Sequence, residues 1–498
     1  MNGTNQTKGT HKQTSESLSS SLSANVANIK ETFRSCDDFV YHQMDLNQKS
    51  VAVFYVSHLV NNQEISDLHK MLSSQEESLL NRTLHAADQI NSIAELASEV
   101  LSGHTVIIVD GVSHAYSFQT KKTTGGAVRE ANSERTVRGP QEGFVEDLDT
   151  NLMLIRKRIR TPSLKIENTI IGTQTQTQVS VVYIEGIVND DLVKEVHRRL
   201  AQINIDGILE SQYIESMIKD SPKSPFPTIY STERPDQVCG NLLEGKVAIM
   251  IDGTPFVLTA PTVFVEFLHA REDYYGSSLV ATVLRWVRFL GMFVALILPA
   301  FYVAMTSFHQ DLLQTSLLIR IAAHREELPY PVLVEGLFMV LTFELIREAG
   351  IRMPKSFGGA VITILGLVLI GQAAVQANII GPVMMVVVST TALVSFILPN
   401  YAFHQIIRLC GVPLLLLAGF FGFMGILVGL MFGLTHLVSL RSFEVPYLSP
   451  VSPARKEGWK DVFIRAPWWA MTTRPPGMGV ANQYRESHSV SPVEKEER

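Results

Sequence analysis

Two amides and two carboxylates stand where the surrounding sequence is apolar, and their chemistry depends on the solvent around them. Gln372 and Gln376 lie one helical turn apart inside GLVLIGQAAVQANIIGP (366–382). Glu335 and Glu344 lie inside PVLVEGLFMVLTFELIREAGIRMP (331–354). Nine positions at 100° each put the two carboxylates on opposite faces of a helix, so they are not a general acid–base pair. Glu344 has Arg347 three residues on and Glu348 has Arg352 four on, the spacing of ordinary helix-surface ion pairs. Glu335 has no such partner nearby in sequence. An ionisable group at membrane depth is costly and faces a bundle interior or a watery cavity. Glu335 therefore either faces an ion path or sits in water on an interfacial helix.

No enzyme signature accompanies these residues. The sequence has no GxxxxGK[ST] phosphate loop, no HExxH, no CxxC and no GxSxG elbow. Fourteen histidines are scattered, and Cys36, Cys239 and Cys410 are odd in number and far apart, which gives neither a disulfide framework nor a metal pattern. The expectation is a protein that is not an enzyme, with no catalytic, metal or cofactor-binding residues. A net charge of −6 makes no case for nucleic acid. RKRIR (156–160) is the densest basic run; Leu152, Ile155 and Ile159 share a helical face beside it, so it reads as the solvated side of an amphipathic helix.

The averages of 46% hydrophobic and 18% charged residues hide a division of the chain. Up to residue 288 the sequence is mixed and polar. From 289 to 434 apolar runs dominate, and a run of about 18 or more such residues is long enough, at 1.5 Å each, to cross a ~30 Å hydrocarbon core. Residues 289–308, 360–379, 382–399 and 409–434 meet or approach that length, which makes 289–434 an α-helical polytopic membrane domain. The apolar part of the Glu335 segment, 331–346, reaches only ~24 Å as a helix. Four crossings leave six Lys and Arg on each side of the membrane, while five put seven inside and five outside. Charge leans to five and helix length to four.

Before the membrane domain the pattern is α+β. LSGHTVIIVDGVSHAYSF (101–118) aligns without gaps to LEGKVAIMIDGTPFVLTA (243–260), 142 residues apart. Each copy is a β-branched run, Asp-Gly, and a second apolar run, the pattern of a β-hairpin. Asp110 and Asp252 are explained by turn chemistry, with Gly111 and Gly253 supplying the positive φ, better than as catalytic acids. DDLVKEVHRRLAQI (190–203) reads as helix and VSVVYIEGIV (179–188) as strand. The expected domains are two α+β subdomains, 31–160 and 161–288. Residues 1–23 are rich in Ser, Thr, Asn and Gln with no signal peptide, so a disordered tail is expected to about residue 30 and the α+β domain is expected in the cytoplasm. Residues 435–498 read as a cytoplasmic tail, disordered after about 475.

On a helix, Leu365, Leu369, Gln372 and Gln376 share one face, while Gly366, Gly371, Ala373, Ala374 and Ala377 supply small packing residues. One reading is interhelical glue, each amide bonding a neighbouring helix for about 0.6 kcal/mol. The other is a pore, in which several copies set rings of amides and a hydrophobic constriction around an axis.

IGQAAVQANIIGPVMMVVVSTTALVSFILPNY (370–401) resembles the core signature of the A subunits of bacterial spore-germination nutrient receptors, the GerA family. The resemblance continues in HLVSLRSFEVPYLSP (436–450) and KDVFIRAP (460–467). Upstream it takes in VRGPQEGFVEDLDTNLMLIRKRIR (137–160) and residues 225–275, so that it spans roughly 100 to 467. Glu444 stands where the family pattern has Gly. The resemblance implies a multi-pass subunit in the inner membrane of the endospore, partnered by a transporter-like B subunit and a lipoprotein C subunit. It further implies a homo-oligomer forming a nutrient-gated cation path, with both chain ends in the cytoplasm. That placement selects four spans, with 331–346 as a re-entrant or interfacial helix, and favours the pore face of Leu365, Leu369, Gln372 and Gln376. The competing expectation is a non-conducting scaffold or signal-transducing subunit that docks the transporter-like partner. A stand-alone secondary transporter fits less well, because only one broken-helix candidate is present where inverted repeats have two.

Overall fold

The computed structural model describes residues 17–485 apart from 47–48, 74–86, 123–129, 132, 133, 135, 137 and 353–358. Its N-terminal half is one motif written twice. The first unit comprises α1 (Leu22–Thr32), β1 (Phe39–Leu46), β2 (Lys49–Val56), α2 (Asn62–Ser73), β3 (Asp88–Ile90), α3 (Ile93–Leu101), β4 (His104–Val109) and β5 (Ala115–Gln119). The second comprises α4 (Leu148–Arg158), β6 (Leu164–Ile171), β7 (Thr177–Ile184), α5 (Asp190–Ala201), α6 (Ser211–Ile218), β8 (Tyr230–Thr232), α7 (Pro235–Leu243), β9 (Val247–Ile251) and β10 (Val257–Ala260). The two antiparallel sheets have the same order, β1-β2-β4-β5-β3 and β6-β7-β9-β10-β8. The aligned Asp-Gly segments are the β4–β5 and β9–β10 hairpins, with φ of +82° at Gly111 and +86° at Gly253.

The duplication extends to individual hydrogen bonds. Asp110 Oδ1 accepts the Leu22 N–H at 3.1 Å, and Asp252 Oδ1 accepts the Leu148 N–H at 3.3 Å. Gly111 N–H donates to Ser20 O, and Gly253 N–H to Glu146 O. Each aspartate thus both makes its turn and satisfies the first N–H of the helix that opens its unit. Asn25 and Asn151, each three residues into that helix, exchange two bonds with the backbone of Ser19 and Val145 respectively. By these contacts the second unit begins near Phe144, not at 161. One apolar core, holding Ile29 and Phe54 from the first unit with Val182 and Val238 from the second, runs through both.

Two expectations about this half change. The tail expected to be disordered to residue 30 instead contributes α1, because Leu18, Leu22, Val26 and Ile29 fall at helical spacing and are buried; residues 1–16 lie outside the described residues. The RKRIR run is not uniformly solvated. Arg156 is fully buried, and its Nε and Nη2 donate to Asp38 of the first unit at 2.8 and 2.9 Å. A carboxylate 118 residues away, rather than water, receives that charge.

The C-terminal half is helical: α8 (Ser278–Phe308), α9 (Thr315–Glu326), α10 (Val332–Arg352), α11 (Gly359–Gln376), α12 (Pro382–Ser395) and α13 (Tyr401–Ser439). By length and composition α8 and α13 are sufficient to cross a membrane. But α13 is not straight. Gly422 has φ +59° and ψ −142°, and a Cβ placed on Gly429 would stand 2.7 Å from Leu414 Cδ1. Fifteen residues of continuous helix would separate those positions by about 22 Å. The stretch 409–434, expected as one span, is therefore a hairpin with arms 401–421 and 423–439. Gly425 and Gly429 let the arms approach, since a Cβ on either would run into Leu417 or Leu414 of the first arm.

α10 is likewise longer than its apolar portion. Its last turns carry Glu344, Arg347, Glu348 and Arg352 in ion pairs of 2.7–2.9 Å, and 21 residues reach about 31 Å. Six segments consequently alternate in direction: α8, α10, α11, α12 and the two arms of α13. At one end Phe308 lies against Gly422 and Leu333 against Gly419. At the other, Ser395 bonds His404, and His436 bonds Ser224 of the N-terminal half.

The ribbon β11 (Arg441–Ser442) and β12 (Val445–Pro446) follows α13 and turns at Phe443 and Glu444, both with positive φ, 46° and 68°. That is the geometry of a two-residue hairpin turn that favours glycine, so Glu444 occupies a strained site.

Cysteines introduced as Leu414→Cys with Gly429→Cys will be joined within one chain by a short thiol-reactive cross-linker, read as a mobility change on a denaturing gel; a straight helix would leave them unjoined. Glu444→Gly will stabilise the protein by about 1 kcal/mol, as left-handed strain outweighs the entropy glycine adds to the unfolded chain, measured as a rise in melting temperature.

Candidate functional site

The outward face of α11 carries the row singled out by sequence. Leu369 is 64% exposed, and Gln372 and Gln376 are exposed beside it. Among the described residues neither amide has a hydrogen-bond partner. The opposite face packs: Ala374 is buried, Gly371 lies against Met385 of α12, and a Cβ on Gly366 would touch Ile346 of α10 at 3.3 Å. Of the small residues expected to pack, Gly366 and Gly371 do so within the chain, whereas Ala373 and Ala377 are exposed next to the glutamines. Leu365 falls where the side chains lie outside the described residues. An amide row facing hydrocarbon is stabilised only when another chain or water meets it.

Glu335 takes a role outside the two alternatives drawn for it. It is 3% exposed, and its Oε1 accepts the Gly381 N–H at 2.6 Å. Gly381 is the residue before α12, so the carboxylate sits on the positive end of that helix, where free N–H groups and the peptide dipoles both favour an anion. Gly381-Pro382 is the sequence signal of a helix start; nothing in the sequence links it to a carboxylate 46 residues earlier.

The ion pair Glu344–Arg347, expected from spacing, gains a third member. Arg408 of α13 donates from Nη1 to Glu344 Oε1 at 2.9 Å, tying α10 to α13 at the end nearest the α/β half.

A second cluster, missed by sequence, joins the two halves. Asp273 accepts Arg288 Nη1 and Nη2 at 2.7 and 2.9 Å and Arg285 Nε at 3.2 Å. Arg285 Nη1 reaches on to Asp461 Oδ1 at 2.9 Å, and Tyr274 Oη donates to Asp461 Oδ2 at the same distance. Burial pushes the Asp461 carboxyl above its ordinary range, and the Arg285 guanidinium opposes that shift. The connecting segment, the base of α8 and the C-terminal segment are thereby clamped together. Beside the clamp, a cavity of about 930 Å³ lies between the halves, lined by Arg271, Arg288, Arg347, Phe396 and Ile397 among others. Glu134 on its α/β side is pushed up to about 7 by burial, and burial holds His269 well below the ordinary imidazole range. No group of three or more His, Cys, Asp or Glu among the described residues is placed to hold a metal ion.

A family model described as Bacillus/Clostridium GerA spore germination protein matches residues 27–476. The chain belongs to the GerA family. Spore germination protein KA of Bacillus subtilis (strain 168) is 41% identical over 491 residues, which cover 95% of this chain and 90% of that protein. Spore germination protein B1 of the same organism is 36% identical over 472 residues, 92% of this chain and 97% of that one. The crystal structure of the N-terminal domain of the A subunit of the Bacillus megaterium spore germinant receptor GerK3 is 37% identical. It covers 51% of this chain and 99% of that one, with a TM-score of 0.40. The GerA match runs from α1 past the clamp, so it includes α11, Glu335 and Asp461.

Replacing Glu335 separates its hydrogen bond from its charge. Glu335→Gln keeps an acceptor for Gly381 and will melt close to wild type in detergent. Glu335→Ala leaves that N–H unmet and will lose about 1–2 kcal/mol, seen as a lower melting temperature.

Proposed function

We propose that this GerA chain is the A subunit of a nutrient receptor for spore germination. It crosses the inner membrane of the endospore several times, keeps its α/β half in the cytoplasm, and oligomerises around α11 to form a nutrient-gated ion path. The observation that carries the pore reading is the outward row of Leu369, Gln372 and Gln376, polar at its core and without a hydrogen-bond partner among the described residues. Copies arranged about an axis meet that need with one another and with water, and Leu369 then supplies an apolar constriction of the kind that closes by dewetting.

The directions of the six segments support the topology. An even number of crossings returns the chain to the side on which it entered, in keeping with the bonds that Arg474 and Ala481 make to the α/β half. Among the described residues, Arg271, Arg285, Arg288, Arg347, Arg352, Arg408, Arg441, Arg455 and Lys456 then fall inside, and only Arg320 and Arg325 fall outside. Nine against two is a clear positive-inside bias, where four crossings gave an even division. The partners in this reading are a transporter-like subunit that senses the nutrient and a lipoprotein subunit. The exposed α11 face also suits a non-conducting scaffold that docks such a transporter-like partner.

Ion flux into liposomes holding the chain, alone and with its partner subunits and nutrient, separates the two. In the pore, Leu369→Ala widens the constriction and raises flux on the order of tenfold, equivalent to about 1.4 kcal/mol of barrier, and Gln372→Ala and Gln376→Ala change the leak with assembly intact. Nutrient-driven flux indifferent to all three, with altered complex abundance, selects the scaffold.

A further inference from the structure

The chain has four tryptophans: one lies near the base of α8 and the other three lie in a single segment that packs against it. Trp286 lies two turns into α8; Trp459, Trp468 and Trp469 lie in the segment 456–470 that follows the membrane half. Their exposures are 56, 42, 54 and 50%, so none is part of a core. The two stretches are fastened side by side. The Phe463 ring packs on Trp286 at 5.8 Å and on Phe289 at 5.3 Å, and Arg465 N–H donates to Thr282 Oγ1 at 3.0 Å. Trp468 Nε1 donates to Tyr274 O at 3.1 Å, while the Arg465 guanidinium lies 5.0 Å from the Trp468 ring. Asp461 in the clamp and Val462, whose carbonyl meets His269 at 3.3 Å, hold the same segment from the inner side. It is a fixed strap rather than a loose tail.

The outward surface next to it is apolar: Leu279, Val283 and Leu290 on α8 are each more than half exposed, as is Ile464 on the strap. Indole has an apolar body and one polar N–H, and it collects where hydrocarbon gives way to headgroups. The dimensions agree. α8 has 31 residues and is about 46 Å long, some 16 Å more than a hydrocarbon core, which leaves its first turns for the interfacial layer. Arg455 and Lys456 are exposed at the start of the strap, where they complement anionic headgroups.

We infer that residues 456–470 and the base of α8 form an interfacial collar that lies in the headgroup–acyl boundary of the bilayer and fixes the depth of the helical bundle. The collar turns part of what reads as a cytoplasmic tail into a lipid-contact surface. It rests on the multi-pass reading above, and the test keeps the two apart. The full chain is reconstituted into phosphatidylcholine vesicles and floated on a density gradient. Its intrinsic tryptophan emission is then compared in lipids brominated near the glycerol end of the acyl chain and in lipids brominated near the chain terminus. Because the rings lie on the strap and the first turns of α8 rather than along the bundle, shallow bromines will cut emission by about half and deep bromines by less than about a fifth. Trp468→Phe with Trp469→Phe will leave flotation intact and lower the shallow quenching signal. A chain that floats but is quenched by neither lipid, as when a protein partner covers this face, overturns the collar and leaves the multi-pass reading standing. Deeper quenching than shallow likewise overturns it. A chain that does not float overturns both.

Discussion

The structure depends on a buried group of four charges, Asp273, Arg285, Arg288 and Asp461, set where the α/β half meets the helical half. Charges taken from water are tolerated only when they are paired and hydrogen-bonded, and removing one partner strands the others at a cost of several kcal/mol. Here the four come from three separate stretches of chain: the connector, α8 and the C-terminal segment. Their pairing fixes how the first helix leaves the α/β half and where the returning chain is anchored. The Glu344–Arg347–Arg408 group repeats the device one layer higher, between α10 and α13. The large cavity lies between these two charged layers, with Arg288 of one and Arg347 of the other in its wall.

What was legible in the sequence was local. The Asp-Gly hairpins, the amphipathic α5, and the ion pairs of Glu344 and Glu348 with arginines a turn away all rest on spacing of a few residues, and the structure has them. The 142-residue repeat could be seen only at its hairpins, because there the turn chemistry constrains residue type. The matching of Asn25 with Asn151 is a matter of two side-chain bonds, and no pattern of types announces it. Hydropathy misread α13 for a physical reason: a run of apolar residues reports its solvent and not its direction, so two short antiparallel arms sum to one long span. The glycine spacing from 419 to 433 was the available signal. α10 was cut short by counting only apolar residues, although paired charges let a helix continue.

The site was legible in type more than in contact. Gln372 and Gln376 were visible because amides are rare in such company, and their outward position agrees with either reading that sequence left open. Glu335 was visible for the same reason, but its role depends on Gly381, which only the fold brings near. The contrast is instructive for helical proteins at large. A polar residue in an apolar run marks a requirement for a partner, and the identity of that partner is a property of tertiary structure.

The ribbon after α13 has a consequence for the order in which the protein is made. Phe443 at its turn is buried in the core of the second unit, under the Arg199 guanidinium, and its N–H is taken by Asp220. Every helix of the C-terminal half is synthesised between that core and the residue that completes it. The helices and strands of the first unit are all encoded before residue 120, whereas the second keeps an open position until α13 has been made. Completion of the α/β half is thus a report, delivered by one phenylalanine, that every helix of the C-terminal half has been made.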